Sequence, residues 1–146
     1  MPLRSGGVNP YVHIYDIIGL DIDGKTWNTQ NGADIVQLNK HESIEFGAFP
    51  ISGVENVTFA GLTEHPDGGF TAMVEMKRGS EIPEHGHQNF EETYVISGAV
   101  ECGGVLIETG DYVRVDAEET HSLKAIEDTK MFVVVHKGVI IDGMPD

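Results

Sequence analysis

Residues 79–98, GSEIPEHGHQNFEETYVISG, hold three potential metal ligands within seven residues and are bounded by glycine at both ends. One residue separates His85 from His87, and Glu91 follows after three more. On a β-strand, residues i and i+2 project from the same face, so both imidazoles can reach one point. A β-prone run begins beyond Glu91 and predicts an antiparallel partner strand that presents this carboxylate opposite the histidine pair. The stretch therefore predicts two strands around a candidate metal site.

Glycine divides the rest of the chain at the intervals of short strands rather than long helices. The chain has 18 glycines, and turn signals such as Asp67-Gly68-Gly69 and Thr109-Gly110-Asp111 separate its β-prone runs. The predicted runs are Phe70 to Met76, Thr93 to Cys102, Val105 to Glu108, Tyr112 to Val115 and Met131 to His136. No amphipathic pattern predicts a helix longer than about two turns. The fold class predicted from these runs is all-β, an antiparallel sandwich or barrel.

The chain length predicts one domain. The chain has 146 residues and 40% hydrophobic residues, enough for a single core. Residues 55–138 carry the dense strand-and-turn pattern, whereas residues 1–54 are predicted to add N-terminal strands and an arm to the same barrel, Tyr11 to Ile18 being the clearest strand. The tail from Val139 to Asp146 is predicted as an edge strand or an arm that reaches a partner subunit.

The charge balance excludes several classes of partner. Nine Lys and Arg oppose 24 Asp and Glu, a net charge of −15. Nucleic acid and anionic membrane surfaces would be repelled, whereas a small neutral or cationic partner is compatible. Cys102 is the single cysteine, which excludes a disulfide framework and fits a reducing cytoplasm. The N-terminus lacks the apolar run of a signal peptide, and no stretch is long and apolar enough to span a bilayer.

Seven histidines remain to be explained, and one more of them joins the candidate site. His121 follows a predicted strand and can supply a third imidazole nitrogen. Three imidazoles and a carboxylate suit Fe(II), Mn(II), Zn(II), Ni(II) or Cu(II), and on an octahedral ion four such ligands leave two positions for substrate and dioxygen or water. The remaining four histidines have no ligand at suitable spacing and are predicted to be ordinary surface residues: His13, His41, His65 and His136.

The spacing of the opening stretch resembles the first motif of the cupin superfamily. Its five positions match in identity and spacing at Gly79, His85, His87, Glu91 and Gly98. The superfamily is defined by two such motifs, and only residues 99–109 separate the candidate pair here.

The second motif is matched in spacing but only partly in identity. Its glycine and its histidine are present as Gly110 and His121. Asp116, Glu118 and Ala125 stand where the motif has proline, glycine and asparagine. Because the histidine is the metal ligand of this motif, these departures leave ligation intact. They affect the conformation of the turn before His121 and the orientation of its imidazole.

The resemblance implies a cupin barrel, also called a double-stranded β-helix or jelly roll, with the metal inside one mouth. It implies that one divalent ion per subunit is held by His85, His87, Glu91 and His121. Cupins are usually dimeric, so a homodimer is expected. Residues 61–70 further resemble a single-domain subgroup that includes the zinc cupin of the ChrR anti-sigma factor and small dioxygenases such as acetylacetone dioxygenase.

The resemblance to these dioxygenases implies the function of a mononuclear Fe(II) dioxygenase that cleaves a carbon–carbon bond in a small diketone or hydroxyketone. With Zn or Mn, the same ligands would suit a metal-dependent isomerase, cyclase or lyase, and a non-catalytic metal-binding sensor is the third alternative. Arg114 is the candidate catalytic residue besides the metal ligands. Facing inward it could hold an enolate bidentately, whereas facing outward it would only offset the acidic surface.

Overall fold

Eleven antiparallel strands form two sheets in a computed structural model that describes residues 38–141. The predicted N-terminal strand Tyr11 to Ile18 lies outside the described residues, as do residues 142–146. The strands are β1 (Gly47–Ala48), β2 (Val57–Glu64), β3 (Gly68–Met76), β4 (Glu81–His87), β5 (Glu91–Ser97), β6 (Ala99–Cys102), β7 (Val105–Glu108), β8 (Tyr112–Val115), β9 (His121–Ala125), β10 (Thr129–Lys137) and β11 (Val139–Ile141). One 3-10 turn, His41–Ser43, precedes them, so the all-β prediction is confirmed.

The two sheets face each other as a jelly roll. One sheet has the order β1-β2-β3-β10-β5-β8 and the other β11-β4-β9-β6-β7, with every neighbouring pair antiparallel. Val139–Ile141 is an edge strand, as the sequence predicted for the beginning of the tail. None of the described residues form a helix that is long and apolar enough to cross a membrane.

Period-2 alternation decides which side chains enter the core. On β10, Met131, Val133 and Val135 are buried, whereas Phe132 between them is exposed. The same rule places Leu123 and Ala125 inside on β9, and Thr93 and Val95 inside on β5. A face that is apolar at every second residue is buried because each side chain removed from water contributes about 1.5–3 kcal/mol.

The predicted run Thr93 to Cys102 is divided between the two sheets at Gly98. This glycine has φ +98°, a left-handed conformation that favours glycine. A Cβ atom there would overlap the carbonyl oxygen of Asp128 and lie 2.5 Å from Oγ1 of Thr129. The close approach lets the chain pass from β5 in one sheet to β6 in the other.

Candidate metal centre

Three strands from both sheets bring the predicted ligands together. His85 and His87 lie on β4, and His121 begins the neighbouring strand β9, where it is the register partner of His85. Glu91 begins β5, which belongs to the opposite sheet. The sequence prediction that Glu91 sits on a strand paired with the histidine strand is therefore wrong: the connection from His87 to Glu91 crosses between the sheets, and the carboxylate faces the histidines across the barrel interior.

The four side chains converge on one carboxylate oxygen. Oε2 of Glu91 lies 3.8 Å from Nε2 of His85 and 3.4 Å from Nε2 of His121, and it also contacts Nε2 of His87. One ligand atom from each residue falls within 4.8 Å of all the others, so the group could hold one metal ion. None of the four side chains is more than 10% exposed. The site is thus an enclosed three-nitrogen, one-oxygen set.

Mutual charge stabilisation offsets the cost of burying these groups. Burial alone would raise the pKa of Glu91, but its close contacts with His121, His85 and His87 outweigh that effect and hold the pKa well below its ordinary value. Burial lowers the pKa of His85, yet its interactions with Glu91 raise it overall. The metal-free site therefore favours an ionised carboxylate next to a histidine that holds its proton more tightly than usual.

Three neighbouring groups orient the ligands. Nδ1 of His85 donates to the carbonyl oxygen of Pro83 at 2.8 Å, which leaves Nε2 as the free acceptor nitrogen. The hydroxyl of Thr93 donates to Oε1 of Glu91 at 3.1 Å, so that Oε2 faces the histidines. Sγ of Cys102 lies 3.4 Å from Nδ1 of His121. Each of these contacts leaves the atom that faces the centre of the group available for a ligand.

The buried nitrogens test whether a cation fits this group. Within the described part of the chain, Nε2 of His87 and Nε2 of His121 are buried with no hydrogen-bond partner of good geometry, although both lie beside Glu91. A buried polar atom without a partner costs about 1–3 kcal/mol. Imidazole nitrogens and a carboxylate are also the donors that borderline divalent metals prefer. The residues present therefore fit a divalent metal ion.

A side cleft of about 470 Å³ leads to this group. It lies between β7 and β8, which are joined by one turn but belong to different sheets. Cys102 and His121 line it, together with Ile107 and Val113 from the two strands. Pockets of this size and lining suit a small organic ligand.

Arg114 is not brought to the metal group. It lies on β8 with its side chain 51% exposed, bonded through Nε to Oδ1 of Asp116 at 3.0 Å. Its guanidinium stacks over the ring of Phe90, with Cζ 3.9 Å from the ring centroid. The outward alternative of the sequence prediction is the one that the structure shows, although Arg114 also lines the side cleft.

Two histidines predicted to be ordinary surface residues have specific partners. Nε2 of His136 lies 2.7 Å from Oε2 of Glu92, and its ring stacks on Phe90 with centroids 3.9 Å apart. Nε2 of His65 lies 2.8 Å from the hydroxyl of Thr71. Both histidines are half-buried and lie outside the metal group, and the sequence did not predict these partners because Thr71 and Glu92 lie on other strands. His41 is exposed, and His13 lies outside the described residues.

Sequence reasoning missed the roles of Thr93 and Cys102 beside the ligands. A signal existed for Thr93, since alternation places it on the same face as Glu91. None existed for Cys102, which approaches His121 only because β6 pairs with β9 in a register that joins Cys102 to Leu123.

Comparisons with known proteins agree with this architecture. Residues 35–140 match the family model described as ChrR Cupin-like domain. No sequence among the curated proteins matches the chain. A structure of SigE in complex with the anti-sigma ChrR from Rhodobacter sphaeroides is similar over 66% of this chain, with 22% identity and a TM-score of 0.56. The similarity there spans only 50% of the matched chain.

Two further solved structures are similar over more of the chain. A candidate acetylacetone dioxygenase from Methylibium petroleiphilum PM1 has a TM-score of 0.68 and 16% identity over 78% of this chain and 88% of its own. The acetylacetone dioxygenase from Acinetobacter johnsonii has a TM-score of 0.65 and 16% identity over 80% of this chain and 84% of its own. At these identities the similarities establish a shared fold.

Proposed function

Because this chain belongs to the ChrR cupin-like family, we propose that it is a mononuclear metal-dependent enzyme, and specifically an Fe(II) dioxygenase that cleaves a carbon–carbon bond in a small diketone or hydroxyketone. The observation that carries the proposal is the convergence of three imidazoles on one buried carboxylate, next to a cleft of ligand size. The likeness to two dioxygenase structures over more than three quarters of the chain favours this reaction class.

In this proposal His85, His87, Glu91 and His121 hold the metal. When bound there, Fe(II) would supply a Lewis acid for a carbonyl or enolate and a centre that activates dioxygen. The chain itself orients three of these groups, namely His85 through Pro83, Glu91 through Thr93 and His121 through Cys102. The apolar barrel interior excludes water from the reacting atoms.

The substrate class follows from the lining of the site. Ile107 and Val113 offer apolar contacts near His121, and Arg114 is engaged with Asp116 instead of the barrel interior. The cleft also carries polar side chains, among them Asp111, Glu119 and Thr120, and its two acidic groups would disfavour a strongly anionic ligand. A small carbonyl compound can use the metal together with the apolar contacts of Ile107 and Val113.

The decisive test combines metal analysis with oxygen uptake. Protein purified anaerobically should contain one iron per chain and should consume oxygen when given acetylacetone or an aromatic hydroxyketone. His87→Ala should lose both properties, whereas His41→Ala, an exposed residue outside the group, should keep them. If His87→Ala retained metal and turnover, the proposed centre would be wrong.

A non-catalytic metal sensor is the second candidate, and the family match favours it. The matched ChrR structure is described as an anti-sigma protein bound to SigE. A stable complex with a sigma factor, formed by metal-loaded protein that takes up no oxygen with any carbonyl compound, would support the sensor over the enzyme. A metal-dependent isomerase, cyclase or lyase would instead convert substrate without oxygen uptake, with Zn or Mn in place of iron.

We further propose that the protein is a cytoplasmic homodimer. Tyr94 and Phe132 are cross-strand neighbours on the outer face of the six-stranded sheet and are 46% and 37% exposed. Large exposed side chains grouped in this way are typical of protein interfaces. Light scattering should give a mass near twice 15.9 kDa, and Tyr94→Glu should shift the protein to a monomer.

A further inference from the structure

Two of the edge strands, β7 and β8, leave an opening at the side of the barrel. β7 is the last strand of one sheet and β8 the last strand of the other, so neither is paired with the other although a short turn connects them. The cleft between them reaches Cys102 and His121 inside the barrel. A small molecule can therefore approach the metal group between the sheets.

The rim of this cleft holds an unusual concentration of exposed apolar surface. Val105, Tyr112 and Leu106 are 63%, 56% and 52% exposed, more than any other large hydrophobic side chain of the described residues, and all three line the cleft. Exposed apolar area costs about 25 cal/mol per Å² relative to burial. Three such residues around one cleft are typical of a ligand-binding groove.

From the rim to the centre the lining is continuous. Behind Val105 the cleft reaches Cys102, whose Sγ is 3.4 Å from Nδ1 of His121. His121 in turn lies with Nε2 3.4 Å from Oε2 of Glu91. The lining also includes polar side chains: Asp111, Glu119, Thr120 and Arg114, of which Arg114 is bonded to Asp116.

We infer that the seam between β7 and β8 is the route by which a small carbonyl compound reaches the metal group, and that Val105 and Leu106 control access at the entrance. The identity of the ligand rests on the proposed function, whereas the route rests on the geometry of the seam. Leu106 and Val105 act on access and do not touch the reacting atoms.

Cys102 allows the route to be tested without turnover, since it is the single cysteine of the chain and lies at the inner end of the cleft. Metal-loaded full-length protein is treated with N-ethylmaleimide, a small and weakly polar reagent, at one fixed pH, and the modification is followed by intact mass. Leu106→Trp should narrow the entrance and slow the modification about tenfold, while Leu106→Ala should accelerate it, because thiol reactivity depends on access. Ile126→Trp, a matched change at an exposed apolar residue outside the cleft, should leave the rate unchanged.

The outcomes separate the route from the proposed reaction. Equal modification rates in wild-type protein, Leu106→Trp and Leu106→Ala, with unchanged metal content and circular dichroism, would overturn the route whatever the oxygen uptake. Opposite changes of the modification rate in the two Leu106 variants would support the route even if no carbonyl compound caused oxygen uptake. Absence of oxygen uptake would overturn only the proposed dioxygenase activity. Protection of Cys102 by acetylacetone in the wild-type protein would support both.

Discussion

The hydroxyl of Thr93 donates a hydrogen bond to Oε1 of Glu91 at 3.1 Å, while Oε2 of the same carboxylate faces all three histidines. Oε1 is thus fixed by a hydrogen bond within the protein, and Oε2 is available to coordinate a metal ion. Both residues are at most 4% exposed, so this bond is made without competition from water. Thr93 fixes the direction of the single anionic ligand.

Thr93→Val should therefore weaken metal binding without unfolding the barrel. Loss of a group that orients a metal ligand typically costs about 10–100-fold in affinity, and valine keeps the shape of threonine on a β-strand. Competition with a chelator would measure the change in dissociation constant. Thr58→Val, a matched substitution on β2 away from the site, should bind metal as tightly as the wild type. Equal affinity in both variants would remove Thr93 from this role.

How much of this site follows from the sequence depends on the separation of its partners along the chain. His85, His87 and Glu91 lie within seven residues, and their spacing alone indicates a shared metal site. The contact between Cys102 and His121 depends on the pairing of β6 with β9, which no local pattern encodes. Register between distant strands is set by the packing of the whole sheet, so local periodicity shows which face a residue occupies but not what lies opposite.

Glu91 illustrates the same limit. Alternation correctly predicts that Glu91, Thr93 and Val95 share the buried face of β5. It gives no information on which sheet β5 joins, and the strand lies opposite the histidines instead of beside them. Fold class and ligand identity can be read from short segments, whereas the assignment of strands to sheets depends on close contacts such as those around Gly98.

Gly98→Ala should destabilise the protein strongly. The residue has φ +98°, and a Cβ atom would overlap the Asp128 carbonyl oxygen. A left-handed conformation costs an L-residue about 1–2 kcal/mol, and forced overlap in a packed site adds about 1–3 kcal/mol. We expect a loss near 3 kcal/mol in the free energy of unfolding, measured by urea denaturation.

Gly103→Ala provides the control for that measurement. It also has a positive φ, +56°, but a Cβ atom there would meet nothing within 4 Å. Only the conformational cost of about 1–2 kcal/mol should remain. A Gly103→Ala loss as large as that of Gly98→Ala would show that the overlap at the sheet crossing is unimportant.

The phenol of Tyr112 should titrate at an unusually high pH. Its hydroxyl donates to Oε1 of Glu92 at 2.8 Å, and this hydrogen bond to the carboxylate raises the pKa of Tyr112. Glu92→Gln removes the negative charge, so the pKa of Tyr112 should fall towards its ordinary value. Tyrosinate absorbance followed against pH would measure the shift, and Tyr112→Phe would identify which part of the signal belongs to this residue. An unchanged titration in Glu92→Gln would contradict the assignment.

The stability of the metal-free protein should decline as the pH rises above about 6.5. The folded-state pKa of His85 is raised above its ordinary value of 6.5 because the interactions with Glu91 outweigh the opposing effect of burial. Its contribution is then fully present below 6.5 and is lost as the pH rises through the raised value. Glu91 has a depressed pKa, so its own contribution persists down to its ordinary value of 4.5 and is lost only as the pH falls through the lower, folded-state value. Urea unfolding of apoprotein between pH 5 and 9 would measure the decline, which His85→Gln should abolish.

Added metal should reverse the dependence of stability on pH, because a divalent ion competes with protons for the same nitrogens and binds more tightly at higher pH. An apoprotein whose stability rises across this range, with the same slope in His85→Gln, would show that the pair is not coupled as the structure places it.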